Sequence, residues 1–166
     1  MHPEIKRLLS LSINLVIRAI SLNIALYMAN AYATKYGAHY IAAQTIAFQI
    51  WLFFAFFIDG YSSVGNIMSG KFKGQKDYSR IWRLSKQLNK YTLIIAVLLG
   101  GICFILYDDI GLMFTKDQEV LSLFYNIFWI VIIMQPVNAM AFVFDGIFKG
   151  LAEAVILRNT LLASTF

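Results

Sequence analysis

The chain has 166 residues, of which 60% are hydrophobic and only 14% are charged, and its formal net charge is +5. Soluble globular domains are about 45–50% apolar and about 25% charged, so this composition excludes an ordinary soluble domain and indicates an integral membrane protein. The lysines and arginines cluster beside apolar runs, a pattern that favours the positive-inside rule over nucleic-acid binding as the source of the positive charge.

The first predicted span covers about residues 9–32, which at about 1.5 Å per residue crosses a hydrocarbon layer of about 30 Å. It is unusually polar, because it contains Arg18 and several asparagines. The residues before it are basic, including Lys6 and Arg7, and no small-residue cleavage site follows the span. We therefore predict no signal peptide and a cytoplasmic amino terminus.

The second predicted span, about residues 41–68, contains one carboxylate, Asp59, and is followed by seven basic residues within twenty positions. An ionisable group inside a span costs about 2.5–3.5 kcal/mol on insertion scales, so it usually faces protein or a watery cavity. Apolar residues recur at partly helical spacing within the basic stretch. We expect an interfacial helix at about residues 75–90, anchored by Trp82 at the cytoplasmic surface, and anionic lipids at the basic loop of residues 71–90.

The remaining spans are predicted at about residues 91–107 and 121–148, with an incomplete fifth span at about 154–166. The loop between the third and fourth spans is acidic, which indicates the external side. Pro136 in the fourth span predicts a helix kink. The fold class expected is an all-α polytopic transmembrane bundle of four full spans and a truncated fifth, forming a single membrane domain whose chain stops inside a helix.

Two pairs of ionic groups are expected at matching depths, given the predicted turns. Arg18 falls level with Asp59, and Asp145 falls level with Arg158. Each pair can serve as a structural ion pair that locks the helix register. Alternatively, Asp59 exchanges a proton or a sodium ion. The two motifs that carry the carboxylates, FFIDG at 56–60 and FVFDG at 142–146, form a short internal echo.

Six amide side chains of the spans have two open interpretations: interhelical hydrogen bonds, or the wall of a polar substrate cavity. They are Asn23, Asn30, Gln44, Gln49, Gln135 and Asn138. By depth, Asn30 is expected near Gln44.

Enzymatic and metal-binding classes find no support in the sequence. No metalloprotease, nucleophile-elbow or phosphate-loop motif is present. His2 and His39 are predicted on opposite sides of the membrane, and the single cysteine, Cys103, lies in an apolar run. We therefore expect no enzyme activity, no metal and no cofactor.

Three segments together resemble the multidrug and toxic compound extrusion (MATE) family, and within it the DinF-like branch. They are IKRLL with IRAISL, then YGAHYIAAQTIAFQIWLFFAFFIDGYSSVGNIMSGKFKGQKD, and MQPVNAMAFVFDGIFKG. The motifs concerned are Arg18, the Ala42-Ala43-Gln44 run, the two Asp-Gly pairs and the Gln135-Pro136-x-Asn138 motif.

The resemblance implies a twelve-helix transporter that exports cationic or amphipathic compounds in exchange for H⁺ or Na⁺. The spans would then be helices seven to ten and the start of helix eleven, in the carboxy-terminal lobe. The amino-terminal lobe, with the first-helix aspartate credited with cation coupling in the DinF-like branch, is not in the sequence. Residues 150–159 read GLAEAVILRN where relatives tend to have a Gly-Asp-Thr turn.

Under this interpretation the partners are a small-molecule substrate, the missing amino-terminal lobe and the lipid bilayer, and the location is a bacterial inner membrane. The fragment alone is expected to be inactive. Two alternatives stay open: a flippase for lipid-linked oligosaccharides from the same superfamily, and a helical membrane scaffold that does not transport.

Overall fold

The computed structural model describes residues 3–165, and their side chains except those of 3, 4, 7, 8 and 165. This part of the chain folds into helices joined by short turns and contains no β-strand, which confirms the predicted all-α fold. His2 and the side chain of Arg7 lie outside the described residues. The helices are α1 (Pro3–Lys35), α2 (Ala38–Gly74), α3 (Tyr78–Ile105), α4 (Tyr107–Phe114), α5 (Gln118–Gly150) and α6 (Ala154–Thr165).

Four helices are long and apolar enough to cross a membrane. The candidate spans are Leu9–Lys35, Ala38–Gly74, Tyr78–Ile105 and Gln118–Gly150, and α6 is a shorter apolar helix. The chain is therefore an integral membrane protein. Its two ends are named here by charge: the basic end holds the α2–α3 and α5–α6 turns, and the opposite end holds α4 and the α1–α2 turn.

The predicted boundary between an interfacial helix and the third span is wrong. Residues 78–105 form one continuous helix of 28 residues, about 42 Å long. Asp77 caps its start by accepting a hydrogen bond from the Arg80 amide at 3.1 Å. Positions 78–105 contain no proline, and the helix continues through the Gly100-Gly101 pair.

Pro136 does not end α5, which continues from Gln118 to Gly150. Proline has no N–H, so the carbonyl of Ile132 loses its normal helical donor. That carbonyl faces Gly100 of α3, where the absent side chain leaves space beside it. The bend expected at Pro136 stays a prediction.

Helices α2, α3 and α5 form the packed centre. At the opposite end, residues of α2 pack on Phe124 and Phe128 of α5, whose rings stack with centroids 4.6 Å apart. Towards the basic end, Ile58, Ala96 and Ala139 bring all three helices together. Because lipid tails are as apolar as these side chains, close packing rather than removal from water favours this association.

At the basic end, α2 and α5 approach until their backbones touch. A Cβ atom on Gly146 would overlap the Ser62 carbonyl, and one on Gly150 would overlap the Asn66 carbonyl. The Ser69 hydroxyl donates across the contact to the carbonyl of Ile147 at 3.1 Å. Gly146 and Gly150 are four residues apart, the spacing of small residues that permits close helix crossing in membranes.

Helices α1 and α6 lie against each other at the edge of this centre, and α1 is mostly exposed. The short helix α4 closes the opposite end. The Tyr125 hydroxyl donates to the carbonyl of Asp108 at 2.7 Å, and the Tyr107 hydroxyl donates to the carbonyl of Tyr125. Burial raises the pKa of Tyr107, so its hydroxyl stays protonated as a donor at neutral pH.

Candidate functional site

A cavity of about 390 Å³ lies between α1, α2, α5 and α6, near the basic end. Its wall is largely apolar and aromatic, with one group of charges. The lining residues are Arg18, Leu22, Trp51, Ala141, Phe142, Phe144, Asp145, Phe148, Ile156, Leu157, Thr160, Leu161 and Ser164. An apolar pocket with a few convergent polar groups is the usual form of a small-molecule site.

Asp145 is held between two cations in the wall of this cavity. Its Oδ1 lies 2.6 Å from Nη2 of Arg18 on α1, and its Oδ2 lies 2.6 Å from Nζ of Lys149, one turn further along α5. The carboxylate is 16% exposed. The Arg18 contact is an ion pair without the alignment of a hydrogen bond, since Oδ1 has no hydrogen-bond donor. The cluster therefore contains two cations and one anion.

Aromatic rings form the part of the wall nearest α2. Trp51 lies 6.3 Å from Phe142 and 5.5 Å from Phe48, measured between ring centroids. Aromatic faces attract organic cations and also pack against apolar groups. The arrangement places one ionic cluster beside aromatic and apolar surface.

The predicted pairing of Arg18 with Asp59 is wrong. Arg18 contacts Asp145 instead, and Asp59 is exposed, with no ion pair or hydrogen bond to any residue that the structure describes. The neighbouring Ile58 is 1% exposed and faces α3 and α5. One residue further along a helix turns by about 100°, which carries Asp59 away from the packed centre.

The predicted pairing of Asp145 with Arg158 is also wrong. Arg158 donates from Nη1 to Asn14 Oδ1 at 2.6 Å and from Nε to Asn159 Oδ1 at 3.0 Å. It thus joins α6 to α1. Residues at equal depth meet only where helices adjacent in sequence face each other, whereas α6 packs more extensively on α1 than on α5.

None of the six amides lines this cavity. Gln44 donates to Asn30 at 3.1 Å, so their expected proximity is found, and Asn23 donates to the carbonyl of Ala19. Gln135 is 1% exposed, and its Nε2 finds no acceptor within the described part of the chain. Gln49 is exposed and Asn138 is half-buried.

Sequence reasoning missed Lys149, Trp51 and the phenylalanines of the cavity wall. The signal for Lys149 was available, because an aspartate and a lysine four residues apart on a helix share one face. Trp51 gave no such signal, since an aromatic residue in a span more often faces lipid or core.

A second charged group lies at the opposite end. Nδ1 of His39, at the start of α2, is 2.6 Å from Oε2 of Glu119, and its Nε2 is 3.6 Å from Oδ2 of Asp117. Asp117 also caps α5 by accepting from the Glu119 amide at 2.9 Å. This group links the starts of α2 and α5. Within residues 3–165 the structure shows no cluster of three His, Cys, Asp or Glu side chains suited to a metal.

The helices define a polytopic membrane protein, and the charged cavity among them is its candidate small-molecule site. The MatE family profile matches residues 14–165, so the chain belongs to the MatE family. This confirms the resemblance found in the sequence.

Relatives include plant and bacterial members. The chain is 28% identical over 152 residues to Protein DETOXIFICATION 42 of Arabidopsis thaliana, covering 92% of this chain and 30% of that protein. It is 25% identical over 136 residues to the chloroplastic Protein DETOXIFICATION 45 of the same plant, covering 82% and 24%.

With DNA damage-inducible protein F of Escherichia coli (strain K12), identity is 21% over 156 residues, covering 94% of this chain and 34% of that protein. The chain thus spans about a quarter to a third of the length of these relatives. No solved structure matches it significantly.

Proposed function

We propose that this chain is part of the carboxy-terminal lobe, helices seven to eleven, of a secondary antiporter that exports cationic or amphipathic compounds in exchange for H⁺ or Na⁺. The observation that carries the proposal is the Arg18–Asp145–Lys149 cluster in the wall of an aromatic cavity, in a chain of the MatE family. The names of the plant relatives, as detoxification proteins, support export as the direction.

In this proposal Asp145 is the group over which cations compete. A cationic substrate, or a coupling ion, can approach the carboxylate only by weakening its contact with Arg18 or Lys149. Neutralising the carboxylate removes the ion pair that links α1 to α5, because Arg18 lies on α1 and Asp145 on α5. Ion or substrate binding would then alter the packing of two helices.

Asp59 is the second candidate for the coupling ion. It is an exposed carboxylate within a candidate span and has no partner among the described side chains. Such residues in spans are usually functional or covered by protein, because exposure to lipid is costly. We assign Asp59 the role of binding and releasing H⁺ or Na⁺ where it faces parts of the transporter outside this sequence.

Transport by the full-length protein in a bacterial membrane, followed with a fluorescent lipophilic cation, tests these assignments. Asp145→Asn and Asp59→Asn should each abolish efflux while the amount of protein in the membrane stays unchanged. The matched control is Asp109→Asn, which removes the negative charge of an exposed side chain on α4, away from the cavity. Wild-type efflux by both Asp145→Asn and Asp59→Asn would overturn the proposal.

The flippase alternative is favoured by one observation, the excess of cations over carboxylates in the cluster, which suits an anionic cargo. The same membranes can distinguish the two functions. Movement of a lipid-linked sugar phosphate without efflux of the cationic dye would support the flippase.

A further inference from the structure

The first half of α3 has one face fixed against the protein. Ile81 and Leu88 pack with Val143 and Ile147 of α5, and Ser85 between them is buried. Because this face is held inward, the rotation of α3 about its axis is set. The opposite face is directed away from the packed centre.

That outward face carries three cations without an acidic partner. Arg83, Lys86 and Lys90 are exposed and follow spacings of three and four residues, so they form one stripe. No carboxylate of the described residues lies within ion-pair distance of them. Two other cations of the basic end are paired: Arg80 with Asp77 at 3.0 Å, and Lys73 with Glu153 at 3.3 Å.

The same stripe becomes apolar within one turn. Leu93, Ile94 and Val97 follow Lys90 on this face and are 38%, 46% and 57% exposed. Trp82 flanks the cationic part, is 63% exposed, and has Nζ of Lys86 at 5.1 Å from its ring centroid. Exposed tryptophan is favoured where a membrane meets water.

We propose that this stripe binds an anionic phospholipid, with its headgroup on Arg83, Lys86 and Lys90 and its acyl chains along Leu93, Ile94 and Val97. The lipid site depends on α3 being continuous, since a break near residue 91 would separate the cations from the apolar half. A nucleic acid would contact the cations but leave the apolar half without a partner, whereas a phospholipid contacts both halves. The site is independent of the transport function proposed above.

Thermal unfolding of the full chain in detergent at physiological ionic strength tests the site. Three probes are compared: dioctanoyl phosphatidylglycerol, dioctanoyl phosphatidylcholine, and glycerol phosphate, which has the anionic group without acyl chains. We expect the phosphatidylglycerol to raise the Tm saturably. The other two should need much higher concentrations for the same shift.

The variant R83Q/K86Q should weaken the apparent affinity for phosphatidylglycerol about thirtyfold, since each cation near an anionic lipid contributes about fivefold. Lys90→Gln alone should weaken it about fivefold. The matched control is K71Q/K76Q, which removes two exposed, unpaired cations of the same end outside the stripe. These side chains are exposed, so the substitutions leave the packed face of α3 unchanged.

Each of the following outcomes would overturn the proposal. Equal effects of R83Q/K86Q and K71Q/K76Q would show a diffuse charge effect instead of a site. Equal shifts with both lipids would remove the role of the anionic headgroup, and equal shifts with glycerol phosphate would remove the role of the acyl chains.

Discussion

At the scale of single residues, Asp145 has an unusual position, because one carboxylate satisfies cations from two helices. Lys149 belongs to the same helix and would stay near Asp145 in any arrangement of the bundle. Arg18 comes from α1, so its contact exists only while α1 keeps its place beside α2 and α6. The Lys149–Asp145 pair is therefore local to one helix, whereas the Arg18–Asp145 pair depends on how the helices pack.

A double-mutant cycle on Arg18→Gln and Asp145→Asn should give a coupling free energy of about 1–2 kcal/mol. This lies between the values for exposed and for fully buried pairs, because both side chains keep some contact with the surroundings. The measurement is thermal unfolding in detergent of the wild type, the two single variants and the double variant.

The control cycle combines Arg18→Gln with Asp59→Asn. Since these side chains do not touch in the structure, their effects should add, with coupling near zero. Coupling between residues 18 and 59, and none between 18 and 145, would contradict the arrangement described here.

Counting residues from the sequence predicted the depth of side chains along the helices, but it did not predict the partners of the ionic residues. Depth along a helix follows from counting residues, and it placed Asn30 near Gln44. The facing direction does not follow from depth, because it depends on the rotation of each helix and on which helices are neighbours. Arg18 and Asp145 are 127 positions apart, and only the placement of α1, which packs on α2 and α6, brings them together.

At the scale of the helices, the two Asp-Gly motifs of α2 and α5 have opposite surroundings. Gly146 lies against the backbone of α2, whereas a Cβ atom on Gly60 would meet nothing within 4 Å. The two Asp-Gly motifs are therefore similar in sequence but differ in how they pack. A closer correspondence is the turn after each helix, where Lys76 and Ala152 both adopt φ 57° and the same backbone hydrogen bonds recur.

This difference predicts opposite effects of the same substitution. Gly146→Ala should destabilise the protein by about 1–3 kcal/mol, because the added methyl group must push the two helices apart. Gly60→Ala should be neutral or stabilising by up to about 1 kcal/mol, since alanine favours a helix over glycine. The Tm of each variant in detergent is the measurement. A loss of stability at Gly60 equal to that at Gly146 would contradict the close α2–α5 contact.

The existence of helices was predictable from apolar runs, and the helices that contain the first, second and fourth predicted spans begin and end within about six residues of the expected positions. The absence of a helix boundary at residue 91 was not predictable, because the side chains change there from cationic to apolar while the helix continues. Side-chain chemistry changes at a membrane surface without requiring a change in backbone conformation. The structure shows one helix that crosses such a change.

At the scale of the whole molecule, the charge asymmetry predicts an orientation in the membrane. Lys76 is exposed in the α2–α3 turn at the basic end, and Lys116 is exposed in the turn between α4 and α5 at the opposite end. Both are outside helices, where proteases cut most readily. The positive-inside rule assigns the basic end to the cytoplasm.

Trypsin added to sealed vesicles should therefore cut after Lys116 when the external face is outward, and after Lys76 when the vesicles are inverted. Mass spectrometry of the fragments identifies the bond. Lys76→Gln and Lys116→Gln each serve as the control for one site. Cleavage after Lys76 in vesicles with the external face outward would reverse the predicted orientation.

Trp51 gives the cavity a built-in chromophore. Its indole forms part of the cavity wall, whereas Trp82 and Trp129 are 63% and 53% exposed on other surfaces. With phenylalanine at those two positions, the tryptophan emission of this chain would come from Trp51 alone. Its emission maximum would then shift with the polarity of whatever enters, so occupancy could be followed without a labelled compound.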